Sequence, residues 1–261
     1  MGWFTPKCPL DSESKEWVEE SFNWLIEAVG SDVLRNVEVI LPIEEHFPDR
    51  YDGSRASIRQ MAERICGYMD VDPKCIELQF FDSEEDRHLH PLAVEEKSRN
   101  HDLGSYLRRR DGKQVIRLDV NQARDPQMMV ATIAHELGHA ILIGEDRLDP
   151  EHPDHEPITD LLTVVYGLGI FNANTTVVFE QFTNQQYQGW RMGGAGYLTE
   201  EAFGYALALF AYARGEVKPE WQSFLSVNVR SYFRSGLKYL LKTGDTRVAR
   251  LPAVVSDTAE V

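Results

Sequence analysis

Apolar residues recur at intervals of three and four near the start of the chain: Trp17, Val18, Phe22, Leu25, Ile26 and Val29. At 3.6 residues per turn they share one face. With Asp11 and Ser12 ahead of them to start it, an amphipathic helix is expected over residues 11–29. Ile58, Met61, Ala62, Ile65 and Met69 repeat the pattern behind Ser54 and predict a helix over 55–69, broken at Asp72-Pro73. Three short runs read instead as strands: 36–41, ended by Pro42, then 75–81 and 114–120. Residues 82–112 are charged and irregular. Helical spacing returns with Met129, Ile133, Leu137, Ala140 and Ile141. Asp125-Pro126 is a cap followed by a first-turn proline, and Gly144 is a stop, so this helix is bounded at both ends and half-buried along its apolar side.

Further helices are expected over 158–171, 199–214 and 221–242. Residues 172–188 read as polar loop, 189–196 as a glycine-rich flexible stretch, and 243–261 as a loosely held tail. Helices and strands in this order predict an α+β fold: a small mixed or antiparallel sheet followed by a helical C-terminal half. The parts are 1–145 with the sheet, 146–243 with the later helices, and the tail 244–261. The two halves form either one domain or two, with a cleft between them.

Charge removes several classes of function. Lys and Arg number 27 against 42 Asp and Glu, a net charge of −15. Such a surface does not favour nucleic acid or an anionic membrane, and Arg108-Arg109-Arg110, the longest basic cluster, reads as a solvated loop. No run of 18 apolar residues exists to span a bilayer. The N-terminal stretch lacks the apolar centre of a signal peptide. Cys8, Cys66 and Cys75 are odd in number and show no C-x-x-C spacing, so a reducing cytoplasm is expected.

The chemistry is concentrated in the helix behind Asp125. His135-Glu136-Leu137-Gly138-His139 is an H-E-x-x-H run. Residues four apart lie on one face of a helix, so His135 and His139 can reach one ion, and neutral imidazoles suit Zn2+. Glu136 lies about 100° round the helix from His135, where it can act as general base on a water held by the same ion.

A catalytic zinc site takes three protein ligands and one open position. Glu156, at the start of the next helical pattern, is the leading candidate for the third, with Asp160 and His155 as alternatives. Pro157 follows Glu156 directly, which places Glu156 near the helix start or at its cap. Asp160 shares a face with Glu156 and can accept the free N–H of a ligand histidine.

His-Glu-x-x-His followed by Glu-x-x-x-Asp on the next helix resembles the gluzincin metallopeptidases, the thermolysin-like branch of the zincins. The resemblance covers about residues 114–171 and includes a strand leading into the motif helix. It implies a zincin-like fold, zinc at His135, His139 and Glu156, and an extended peptide bound along the edge strand of the sheet. In thermolysin-like enzymes an Asn precedes the ligand Glu; here the residue is His155. The whole chain also resembles a group of uncharacterised bacterial proteins of similar length.

Peptide hydrolysis needs a donor for the developing oxyanion. Tyr197 and Arg191 in the glycine-rich stretch and Tyr205 on the following helix are candidates, beside Tyr166 and Tyr187, and packing competes as the role of each. Cys8 could cap the metal or be an inert thiol, Cys66 reads as core, and His88 and His90 read as solvated. The function expected is a zinc-dependent protease acting on a peptide or protein. The alternatives are a non-proteolytic metal-binding module and a hydrolase of a non-peptide amide.

Overall fold

The computed structural model describes residues 6–82, 104–108, 113–183 and 198–251; for 104–108 and 177–183 it describes the backbone alone. The first helix, α1 (Ser12–Val29), starts where the carboxylate of Asp11 accepts from the backbone N–H of Ser14 at 2.9 Å. It buries Val18, Phe22 and Leu25. After Gly30 the chain makes a short helix, α2 (Ser31–Asn36).

Residues 37–41 carry no strand pairing, so the strand expected over 36–41 is not formed. The backbone N–H of Ile40 is instead given to the carbonyl of Gly167, 3.0 Å away. The apolar side chains of this run join the core, with Ile40 buried in it and Val37, Val39 and Leu41 packed against it.

Ser54 caps α3 (Arg55–Tyr68), accepting from the N–H of Ser57 at 3.2 Å. The sheet consists of β1 (Ile76–Phe81), β2 (Gly104–Arg108) and β3 (Gln114–Asp119) in the order β1-β3-β2. Strand β1 runs parallel to β3, with Leu78 opposite Ile116, and β2 runs antiparallel to it. The sheet is therefore mixed, and β3 at its centre hands the chain through a turn of 3-10 helix to α4 (Pro126–Leu142).

Helix α4 is buried on every side from Met128 to Leu142, not half-buried. Thr132, His135, Glu136 and His139 are thus inside the protein. The carboxylate of Asp125 accepts from the N–H groups of Gln127 and Met128, and Pro126 occupies the first turn, where its missing N–H is not needed.

Helix α5 (His155–Val165) folds back against α4, and α6 (Gly169–Thr183) follows it. The apolar run 158–171 is not one helix. Gly167 turns the corner between α5 and α6 at φ 75°, and a Cβ there would stand 2.1 Å from the carbonyl oxygen of Glu38. Beyond the corner the polar stretch expected as loop is helical to Thr183. Thr175 and Thr176 turn their hydroxyls back onto the carbonyls of Phe171 and Asn172, so the helix satisfies them internally.

Helix α7 (Glu200–Ala213), capped by Thr199, packs along α8 (Val227–Thr243). Residues 244–251 are not loose: the backbone N–H of Arg247 reaches Glu19 at 3.0 Å and that of Leu251 reaches Ala213 at 2.7 Å. One apolar core runs from Phe22 and Ile58 through Ile116 and Leu137 to Phe203 and Phe233, so the halves on either side of residue 145 share it. The fold is α+β and mostly helical. No helix of the described residues is long and apolar enough to cross a membrane.

Candidate metal centre

His135 and His139 stand one turn apart on α4, 5% and 6% exposed, with their rings edge to face at a centroid distance of 4.8 Å. Glu156 meets them from α5. Its Oε2 lies 2.9 Å from His135 Nε2 and 3.4 Å from His139 Nε2. The three donor groups all fall within 4.8 Å of one another, close enough to hold one metal ion.

Helix start chemistry explains how Glu156 is presented. Asp154 is the N-cap residue, and its carbonyl accepts the first helical bond, from Ile158 N at 3.0 Å. Glu156 is therefore inside the helix rather than at the cap. Pro157 falls within the first turn, where the backbone nitrogens have no helical acceptor, so the proline costs no hydrogen bond. The side chain of Asp154 accepts instead from Trp17 Nε1 on α1 at 3.0 Å, tying the start of α5 to the N-terminal helix.

Gly138, between the two histidines, lets the helices approach. A Cβ at this position would stand 2.7 Å from the methyl carbon of Thr159 on α5. Any larger residue would separate α4 from α5 and draw Glu156 away from the imidazoles.

The second nitrogen of each histidine is also engaged. His135 Nδ1 lies 2.9 Å from Asp160 Oδ1, and the other oxygen of Asp160 accepts the backbone N–H of Leu198 at 2.9 Å. Asp160 is only 3% exposed, so both bonds are shielded from water. His139 Nδ1 lies 3.3 Å from Thr159 Oγ1. Of the alternatives for a third ligand, Asp160 therefore sits on the far nitrogen of His135. The ring of His155 lies 5.7 Å from that of His139, tilted by 49°, and its Nδ1 approaches Glu156 Oε1 at 3.4 Å.

The electrostatics follow from this packing. Burial alone would depress the pKa of His135, but carboxylates at both ring nitrogens outweigh it and hold the value well above that of free imidazole. Burial lowers the pKa of His139, and the neighbouring His135 adds to the effect against the pull of Glu156. Burial would raise the pKa of Glu156, but the imidazoles of His135 at 2.9 Å and His139 at 3.4 Å prevail and hold it well below the usual carboxylate range. The pocket thus sets a carboxylate against two imidazoles, an arrangement whose negative charge a dication could balance.

Glu136 is 5% exposed on the same turn of α4. One turn earlier, Thr132 donates to Gln122 at 3.0 Å, which packs the segment after β3 over this flank of the helix.

Tyr205 is not at the centre: its side chain is fully buried and its hydroxyl donates to Glu19 on α1 at 2.6 Å. Cys8 lies beside Tyr205, with its thiol pushed up by burial, and is not part of the ligand cluster. Arg191, Tyr197, Tyr187, His88 and His90 lie outside the described residues. A separate cleft of about 250 Å³ between α3 and the N-terminal end of α4 is lined by Phe47, Tyr51, Met61, Val130 and Phe171, with none of His135, His139 and Glu156 in its wall.

Sequence reasoning missed Thr159 and the backbone N–H of Leu198. The first had a local signal, since Thr159 adjoins Asp160 on the helix that carries Glu156. The second depends on the long-range fold. Compared with known proteins, the chain matches no family model, no curated protein and no solved structure.

Proposed function

We propose that the protein is a zinc-dependent metallopeptidase of the gluzincin kind, with a zincin-like arrangement of sheet, motif helix and following helix. The observation that carries this reading is the convergence of His135 Nε2, His139 Nε2 and Glu156 Oε2, with Glu136 next to the first ligand. Tetrahedral zinc with bonds of about 2.1 Å spaces its ligand atoms by about 3.4 Å. The 2.9 and 3.4 Å separations need only small side-chain shifts to meet that spacing. Two imidazoles and one carboxylate make a three-ligand set suited to an open fourth position.

Zinc at this position would supply Lewis acidity, making a water more acidic and a carbonyl more electrophilic. The protein's own groups do the rest. Asp160 fixes the ring of His135 through Nδ1 and is itself fixed by Leu198. Glu136 accepts a proton from the attacking water at its carboxylate and returns it to the departing amine nitrogen. The burial of His135, Glu136 and His139 excludes bulk water and strengthens each of these interactions.

The test is the variant Glu136→Gln, which keeps size and hydrogen bonding but cannot take the proton. Loaded with zinc and offered an unfolded protein or a mixed peptide library, it should bind one zinc per chain as wild type does and cleave at least about 100-fold more slowly. Equal cleavage by the two proteins would end the proposal. So would wild-type protein that binds zinc and cleaves no peptide bond in the library.

A further inference from the structure

The two ligand histidines are held from behind by different chemistry. His135 has a carboxylate, Asp160, at Nδ1. His139 has a neutral hydroxyl, Thr159 Oγ1, at 3.3 Å from its Nδ1. A hydroxyl can give or accept, so its direction has to be found from its other partner. Thr159 Oγ1 lies 2.7 Å from the backbone carbonyl oxygen of His155. Two oxygens at that separation need a proton between them, and the carbonyl has none to give. The Thr159 hydrogen therefore points to His155. Toward His139 the hydroxyl presents lone pairs only, and it can pair only with an N–H at Nδ1.

Thr159 is fully buried, so solvent does not compete for either bond. Its other substituent is fixed as well, because the methyl carbon sits against Gly138. Methyl and hydroxyl together leave the side chain one orientation.

We propose that Thr159 is a positioning residue that holds His139 in the Nδ1–H tautomer, so that Nε2 presents its lone pair to the metal beside Glu156. The inference rests on the metal-site reading above. It adds a second support of a different kind: an uncharged one whose direction is set by the backbone of the helix that carries Glu156. Such a support orients a ligand without adding negative charge to the site.

The experiment compares full-length wild type, Thr159→Val and Thr159→Ser. Valine keeps the shape and removes the hydroxyl; serine keeps the hydroxyl and removes the methyl. Zinc affinity is read by competition with a chromophoric chelator. The His139 tautomer is read in metal-free protein from its ring ¹⁵N shifts, assigned by comparison with His139→Ala. Wild type should show a protonated Nδ1 at His139. T159V should lose that signature and bind zinc about 10-fold more weakly, whereas T159S should keep the signature and stay within about threefold of wild type.

T159V that binds zinc as tightly as wild type and keeps the Nδ1–H tautomer overturns the inference. T159S as weak as T159V overturns it too, since packing would then be the cause. If circular dichroism shows T159V unfolded, the other two proteins decide: a protonated Nε2 in wild type overturns the inference, and Nδ1–H in both wild type and T159S supports it. Failure of the underlying reading looks different, because wild type would then take up no zinc or H139A would bind it undiminished.

Discussion

Gly138 and Thr159 face each other across the α4–α5 contact, so close that a Cβ on the glycine would meet the threonine methyl carbon at 2.7 Å. Alanine is the better helix former by about 1 kcal/mol, so Gly138→Ala would stabilise an isolated α4. In the folded protein overpacking opposes that gain at about 1–3 kcal/mol. The net expectation is a protein of equal or lower stability with weaker zinc binding, because Glu156 moves with α5. Urea titration gives the first quantity and chelator competition the second. G138A with undiminished zinc affinity would show that the contact does not set the ligand distance.

Metal removal should cost stability in proportion to affinity. A ligand present at 1,000 times its dissociation constant stabilises a folded protein by about 4 kcal/mol. Thermal unfolding of the zinc-loaded chain should therefore shift down by several degrees on adding a chelator. H139A and E156Q should melt at the same temperature with and without chelator. A wild-type melting temperature indifferent to zinc would argue against the triad as a metal site.

Asp160 uses one oxygen for His135 and the other for the backbone of Leu198, and both oxygens accept. Asparagine has one acceptor and one donor, so Asp160→Asn must set an N–H against either the imidazole N–H or the Leu198 N–H. Loss of such a partner commonly weakens a metal site 10- to 100-fold, and about that loss of zinc affinity is expected. D160N with wild-type affinity would mean that His135 is oriented by other contacts.

The site was more legible in the sequence than its surroundings were. Asp125, Pro126 and the spacing of His135 and His139 are local signals, and local forces form α4. Glu156 was readable because it lies only 17 residues beyond His139 on the next helix. Residues 37–41 misled because Val37, Val39 and Ile40 suit a strand, whereas the partner of Ile40 is Gly167, far along the chain. The helix through Thr175 and Thr176 was hidden by polar composition, since the hydroxyls bond to their own helix. Tyr205 could be read as helical, but its bond to Glu19 spans 186 positions and left no local trace.

The cysteines should differ sharply toward an alkylating reagent. Cys66 is buried, and burial raises its thiol pKa to about 12. Only the thiolate reacts, and with that pKa its fraction at pH 8 is about 10⁻⁴. Exposed Cys75 should be labelled by iodoacetamide at pH 8, and Cys66 only after unfolding. While the fold persists, the Cys66 rate should climb roughly tenfold per pH unit until the pH nears 12, since raising pH creates the reactive form. Mass spectrometry of peptides after timed labelling measures both; rapid labelling of Cys66 at pH 8 would contradict its burial.

Gly167 turns the chain where no side chain fits, against the carbonyl of Glu38, and its own carbonyl holds Ile40. That corner follows the helix that carries Glu156 in its first turn. The N-terminal part of the chain supplies none of the three clustered residues, yet it grips the far end of the Glu156 helix here and its near end through Trp17. The distances within the His135, His139 and Glu156 cluster are thus inherited from residues outside it. A random-mutant screen for chains unable to retain zinc should accordingly return Gly167 and Trp17 beside the ligands themselves.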